Sequence, residues 1–182
     1  MNSIKRISTR IQQLLVLACW LMPMTVAYTW LFEPNGLQWF DHAIHLRVIP
    51  VGLPLLHPLQ WQDQCLGLLI SLMPLSLLIA GCMQMIRLFS RYKAGHLFTD
   101  VNARCFQRLA GLLFAWVFLI QFIYQALLTV ALTWHNPIGH RILAISFDQN
   151  DILMLFAAVI IFLLGKIMAI AAQLQDEQQR MI

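Results

Sequence analysis

Residues 152–172, ILMLFAAVIIFLLGKIMAIAA, carry a single charge, Lys166, and decide how the rest of the chain is read. At about 1.5 Å per residue in a helix, this run crosses a hydrocarbon core of roughly 30 Å. Three more runs of comparable length and no charge precede it, at residues 14–32, 65–86 and 109–134. With 60% of the 182 residues hydrophobic and 11% charged, a soluble domain of this size has no core large enough to hide that apolar surface. The expected fold class is therefore all-α, an integral membrane bundle of four transmembrane helices forming one membrane domain over residues 1–182.

The first run follows Lys5, Arg6 and Arg10, as a secretory signal would, and Thr25-Val26-Ala27 loosely resembles a cleavage site. Its apolar stretch continues past that point through Phe32, beyond the usual signal core of about 7 to 15 residues, so a retained anchor is expected. Lys5, Arg6, Arg10, Arg87, Arg91, Lys93, Arg104, Arg108 and Arg180 fall on one side of the four spans. Arg47 and Arg141 fall on the other. The positive-inside bias then puts both termini, the loop 87–108 and the tail 173–182 in the cytoplasm of a bacterial inner membrane, with loops 33–64 and 135–151 outside. Topology accounts for the net charge of +4, which leaves nothing for nucleic acid to explain. Trp30, Trp61 and Trp134 fall at the outer span ends, where an amphipathic ring suits the headgroup level. Cys65 alone lies at the outer face, so no internal disulfide is expected.

In the first outer loop, Leu37, Phe40, Ile44 and Val48 recur at helical spacing and predict a short amphipathic helix that ends at Pro50. Asp41, His42, His45 and His57 have a permissive but common spacing for metal ligands, and interfacial histidines are the expected reading. At the other end of that side, Asp148, Asn150 or Asp151 is placed to cap the fourth helix.

The inner loop contains RYKAGHLFTDVNAR, residues 91–104. Gly95 suits the left-handed position that commonly ends a helix, Thr99 suits the cap of the next, and Asp100 is favourable against the helix dipole there. The tail, AIAAQLQDEQQRMI, is rich in helix formers, so the fourth helix should run on beyond the bilayer, with Asp176 and Arg180 one turn apart.

The stretch LFSRYKAGHLFTDVNAR and the ending from residue 145 resemble the YoaS-like family, small bacterial membrane proteins with four helices and a domain of unknown function. The residues carrying the resemblance are Tyr92, Gly95, Phe98, Thr99 and Asn102 in the loop and Leu174, Asp176, Glu177 and Ile182 at the end, over roughly residues 65–182. Gln178 and Gln179 depart from its pattern. The resemblance implies a bundle in the cytoplasmic membrane and, through members that accompany small helix-turn-helix regulators, a regulatory partner. It implies no reaction.

The candidate partner-docking residues are thus Tyr92, Gly95, Phe98, Thr99, Asn102, Leu174, Asp176 and Glu177. Within the bilayer the candidate polar residues are Gln121, Gln125 and Lys166, the first two expected to bond across helices and the third to snorkel to the inner end of its span. Pro23 and Pro74 sit near the middle of spans one and two, and without counterparts in the other two they read as tolerated kinks rather than a transporter's broken helices. No cofactor or metal is expected, and no catalytic residue, because paired ionisable groups at a shared depth are missing. The expected function is non-enzymatic: binding of a protein partner, either a cytoplasmic regulator or a membrane-active partner met as an immunity or sensor protein, with membrane lipids as surroundings. The alternative is a small transporter or channel subunit.

Overall fold

A computed structural model describes residues 2–32, 60–95, 99–134, 136, 137, 141, 143, 145 and 149–180. The amphipathic helix and the histidines of the first outer loop, the loop residue Phe98 and the capping candidate Asp148 lie outside them. The regular elements among the described residues are α1 (Asn2–Phe32), α2 (Trp61–Lys93), α3 (Asp100–Phe118), a π-helical turn (Leu119–Tyr124), α4 (Gln125–Thr133) and α5 (Gln149–Arg180). Since α3, the π turn and α4 run on without a break, the described residues include four helices long and apolar enough to cross a membrane, which makes this a multi-pass membrane protein by length and composition.

The helices outrun the apolar runs that mark them. α2 starts at Trp61 because Asp63 Oδ2 accepts the backbone N–H of Gln60 at 3.1 Å, the acidic half of a capping box. α5 starts at Gln149, which puts Asn150 and Asp151 inside its first turn rather than at the cap; Asp151 there still meets the positive end of the dipole. Pro23 and Pro74 are both accommodated within continuous helices.

By spatial proximity the chain falls into two compact units. The first comprises Met1–Trp20, Leu77–Val117 and Gln149–Ile182. Within it α5 buries Ala158, Gly165 and Ala172, small residues spaced seven apart along one stripe. A Cβ placed on Gly165 would lie 3.1 Å from Phe106 Cβ and 3.2 Å from the Ala103 carbonyl oxygen, so this glycine lets α5 approach the backbone of α3. Close approach through small residues is how helices associate where lipid offers no hydrophobic drive.

The second unit comprises Leu21–Ser76 and Phe118–Asp148. Trp30 is fully buried here, with 0% exposure, and corrects the sequence reading of it as a headgroup-level anchor. Its indole Nε1 donates to Ser71 Oγ at 3.0 Å, and its ring occupies the space a side chain on Gly67 would need. An indole needs an apolar surround and one acceptor, and Gly67 with Ser71 one turn along α2 supply both. Tyr28, Phe32, Trp61 and Trp134 are the exposed aromatics near the helix ends, and Arg141 stacks its guanidinium 5.1 Å from the Trp134 ring centre.

The π turn has a geometric reason. Ala103, Ala110 and Val117 are buried at a spacing of seven, and beyond them Gln121, Gln125, Thr129 and Thr133 are buried at a spacing of four. In an uninterrupted α-helix Thr133 would point roughly 160° away from Val117. One extra residue in a wide turn subtracts roughly 100° and keeps both on one side. The Gln125 N–H bonds the Ile120 carbonyl, five residues back, as such a turn requires.

Candidate functional site

The turn between α2 and α3 is built from the residues read off the sequence. At its first end the Ala94 N–H reaches the Ser90 carbonyl at 3.3 Å and the Gly95 N–H reaches Tyr92 at 3.1 Å. Gly95 has φ +87°, the left-handed conformation that only glycine adopts without strain. At the second end Thr99 caps α3: the Asn102 N–H lies 2.9 Å from the Thr99 carbonyl and 3.4 Å from its hydroxyl, and the Ala103 N–H lies 3.1 Å from the same carbonyl. A stop and a start four residues apart set where α2 ends and α3 begins.

The loop and tail candidates differ in what they present. Gly95, Leu174 and Glu177 are exposed, while Tyr92 and Thr99 are half-buried. Tyr92 meets Phe89 edge to face with ring centres 6.1 Å apart. Asn102 is fully buried at 0% exposure, so it belongs to the support of the turn and offers no side chain to a partner. Phe98 and the Asp176 side chain fall outside the described parts. α5 continues as helix to Arg180, about two turns past the end of its apolar run, as the tail composition predicts. Turn and tail belong to the same compact unit. Around the turn Arg87, Lys93, Arg104 and Arg108 are exposed and Arg91 is half-buried.

The intramembrane candidates divide. Gln121 and Gln125 are buried, and Gln125 Nε2 donates to Gln121 Oε1 at 2.7 Å, a bond along their own helix. The series continues with Thr129 Oγ1 donating to the Gln125 carbonyl at 2.8 Å and Thr133 Oγ1 to the Thr129 carbonyl at 2.6 Å. Beside the series Tyr124 is buried with its hydroxyl 3.5 Å from Ser71 Oγ, which links it to Trp30. Sequence reasoning missed Trp30, Gly67, Ser71, Tyr124, Thr129 and Thr133. The four-residue spacing from Gln121 to Thr133 was the available signal for part of this set. Lys166 is exposed, its Nζ 5.7 Å from the Phe162 ring centre one turn toward the start of α5. Among the described residues no group of three or more His, Cys, Asp or Glu is arranged to hold a metal ion.

Residues 20–182 match the family model described as "Protein of unknown function (DUF2975)". The chain belongs to that family. Membership covers the turn, the buried polar series and the tail together, and begins farther toward the amino terminus than the resemblance from residue 65 onward. The family description names no role, and the YoaS-like designation stays a resemblance. No match was found among curated proteins or among solved structures.

Proposed function

We propose that this family member is a non-enzymatic protein of the bacterial inner membrane, with both termini and the α2–α3 turn in the cytoplasm, that acts by binding a soluble regulatory protein on the turn and the α5 tail. The observation that supports this reading is that the left-handed Gly95 and the Thr99 cap give α2 and α3 defined ends within the unit that also holds the helical tail. Defined helix ends preorganise the surface beside them, and a docking surface gains affinity from preorganisation. Excess cations on the turn side support the cytoplasmic placement.

A photo-crosslinker at position 98 tests the reading. It should capture one soluble protein, and capture should vanish on Tyr92→Ala or on removal of residues 173–182 while membrane insertion is unchanged. Capture that survives both changes would remove the docking face from the account.

One observation favours the alternative of a small transporter or channel subunit: the buried polar series from Gln121 to Thr133. Its threonine hydroxyls, however, donate to their own helix, and Lys166 is exposed. Substrate or ion flux into proteoliposomes that falls with Gln121→Leu or Lys166→Ala would restore that reading.

A further inference from the structure

Six of the arginines fall into three pairs with one spacing: Arg6 and Arg10 on α1, Arg87 and Arg91 on α2, Arg104 and Arg108 on α3. Residues four apart on a helix are neighbours, with Cβ atoms about 5–6 Å apart, and like charges there repel. Five of the six are exposed and Arg91 is half-buried. Among the described residues none of the six guanidinium groups enters an ion pair; Arg104 Nε donates to the Asp100 backbone carbonyl at 3.4 Å. All six lie in one compact unit.

Orientation alone does not ask for this pattern. Lysine serves the positive-inside rule as well as arginine, and any spacing will do, preferably one that avoids repulsion. What a repeated Arg pair does ask for is an anion between its members. Arginine's planar fork matches phosphate in a way an ammonium does not. The level is informative too: the nearer arginine of each pair lies within four residues of the end of an apolar run, where the headgroups of a bilayer lie.

We propose that each arginine pair is a binding site for the phosphate of an anionic phospholipid, so that α1, α2 and α3 are held in the leaflet by bound lipid. The anion bridges two guanidinium groups one helical turn apart and relieves their repulsion. This inference stands apart from the protein-partner reading, which rests on the turn apex and tail.

The full chain purified in detergent, with phosphatidylglycerol or phosphatidylcholine added and retained lipid counted by native mass spectrometry, provides the test. Membrane orientation does not enter that measurement. The wild type should retain phosphatidylglycerol at least about tenfold more tightly than phosphatidylcholine, with the preference shrinking as salt rises. Replacing all six arginines by Gln should abolish the preference. Replacing all six by Lys, which keeps charge and solubility, should leave only part of it. Equal retention of the two lipids by the wild type, or Lys variants that bind as tightly as Arg, would overturn the proposal, since charge alone would then suffice. Loss of lipid preference with crosslinking from position 98 intact would show that the two readings fail separately.

Discussion

The third span and α5 follow opposite rules. α5 is the more apolar of the two, yet 11% of its most apolar window is buried, against 39% for the span from Asp100 to Thr133. In water the ranking would reverse. Lipid tails are as apolar as leucine, so nothing drives Leu153, Phe156, Ile160 or Leu163 inward, and all four are exposed. Polar side chains have no partner in hydrocarbon and must be turned toward protein. The third span therefore carries Asn102, Gln121, Gln125, Thr129 and Thr133 on its buried side, and a wide turn keeps the last of them there. Between these two spans, polar content rather than hydropathy ranks the burial.

Five substitutions sharpen or break that contrast. The largest effect is expected for Gly67→Leu, because the Trp30 ring fills the space the new side chain needs and the displaced indole loses Ser71. A loss of about 3 kcal/mol or more is expected in a detergent unfolding titration. Gly165→Leu comes next, at about 1–3 kcal/mol, since Phe106 and the α3 backbone at Ala103 stand at contact distance. Trp30→Phe keeps an aromatic ring but removes the donor to Ser71 and leaves part of the indole's space empty, for about 1–2 kcal/mol. A double-mutant cycle with Ser71→Ala should return a coupling of about 0.6 kcal/mol, typical of polar pairs in membranes. Leu163→Val on the exposed face of α5 should stay within about 0.5 kcal/mol. A large cost there would mean that α5 meets another protein surface rather than lipid.

What could be read from the sequence was whatever is encoded locally. The spans follow from runs of charge-free residues, and the turn from Gly95 and Thr99, because a helix stop and start depend on a few neighbouring residues. Trp30 was misjudged for a physical reason: an amphipathic ring near a span end suits the headgroup level and a polar core equally. Only the positions of Gly67 and Ser71 on α2 decide between them, and those are tertiary facts. The π turn is likewise invisible in LIQFIY, which contains no residue that favours a wide turn. It answers the mismatch between the seven-residue series ending at Val117 and the four-residue series that follows. Gln121 and Gln125 are expected from the sequence to bond across helices, and their mutual bond along one helix depends on side-chain geometry that spacing does not fix. The start of α2 was placed four residues late because Gln60 and Asp63 look like loop residues until they are seen to cap.

The central claim, that the third span turns its polar side to protein while α5 turns an apolar face to lipid, is tested most directly by nitroxide scanning in bilayers. With the native cysteines replaced, spin labels at 156, 160 and 163 on α5 should relax strongly with oxygen, which partitions into lipid. Labels at 125, 128 and 129 should be shielded both from oxygen and from a water-soluble nickel complex. Nickel accessibility at 125 or 129 would mean that the polar series lines water, and oxygen-shielded positions on α5 would mean that its face is not lipid-facing; either result would contradict the account.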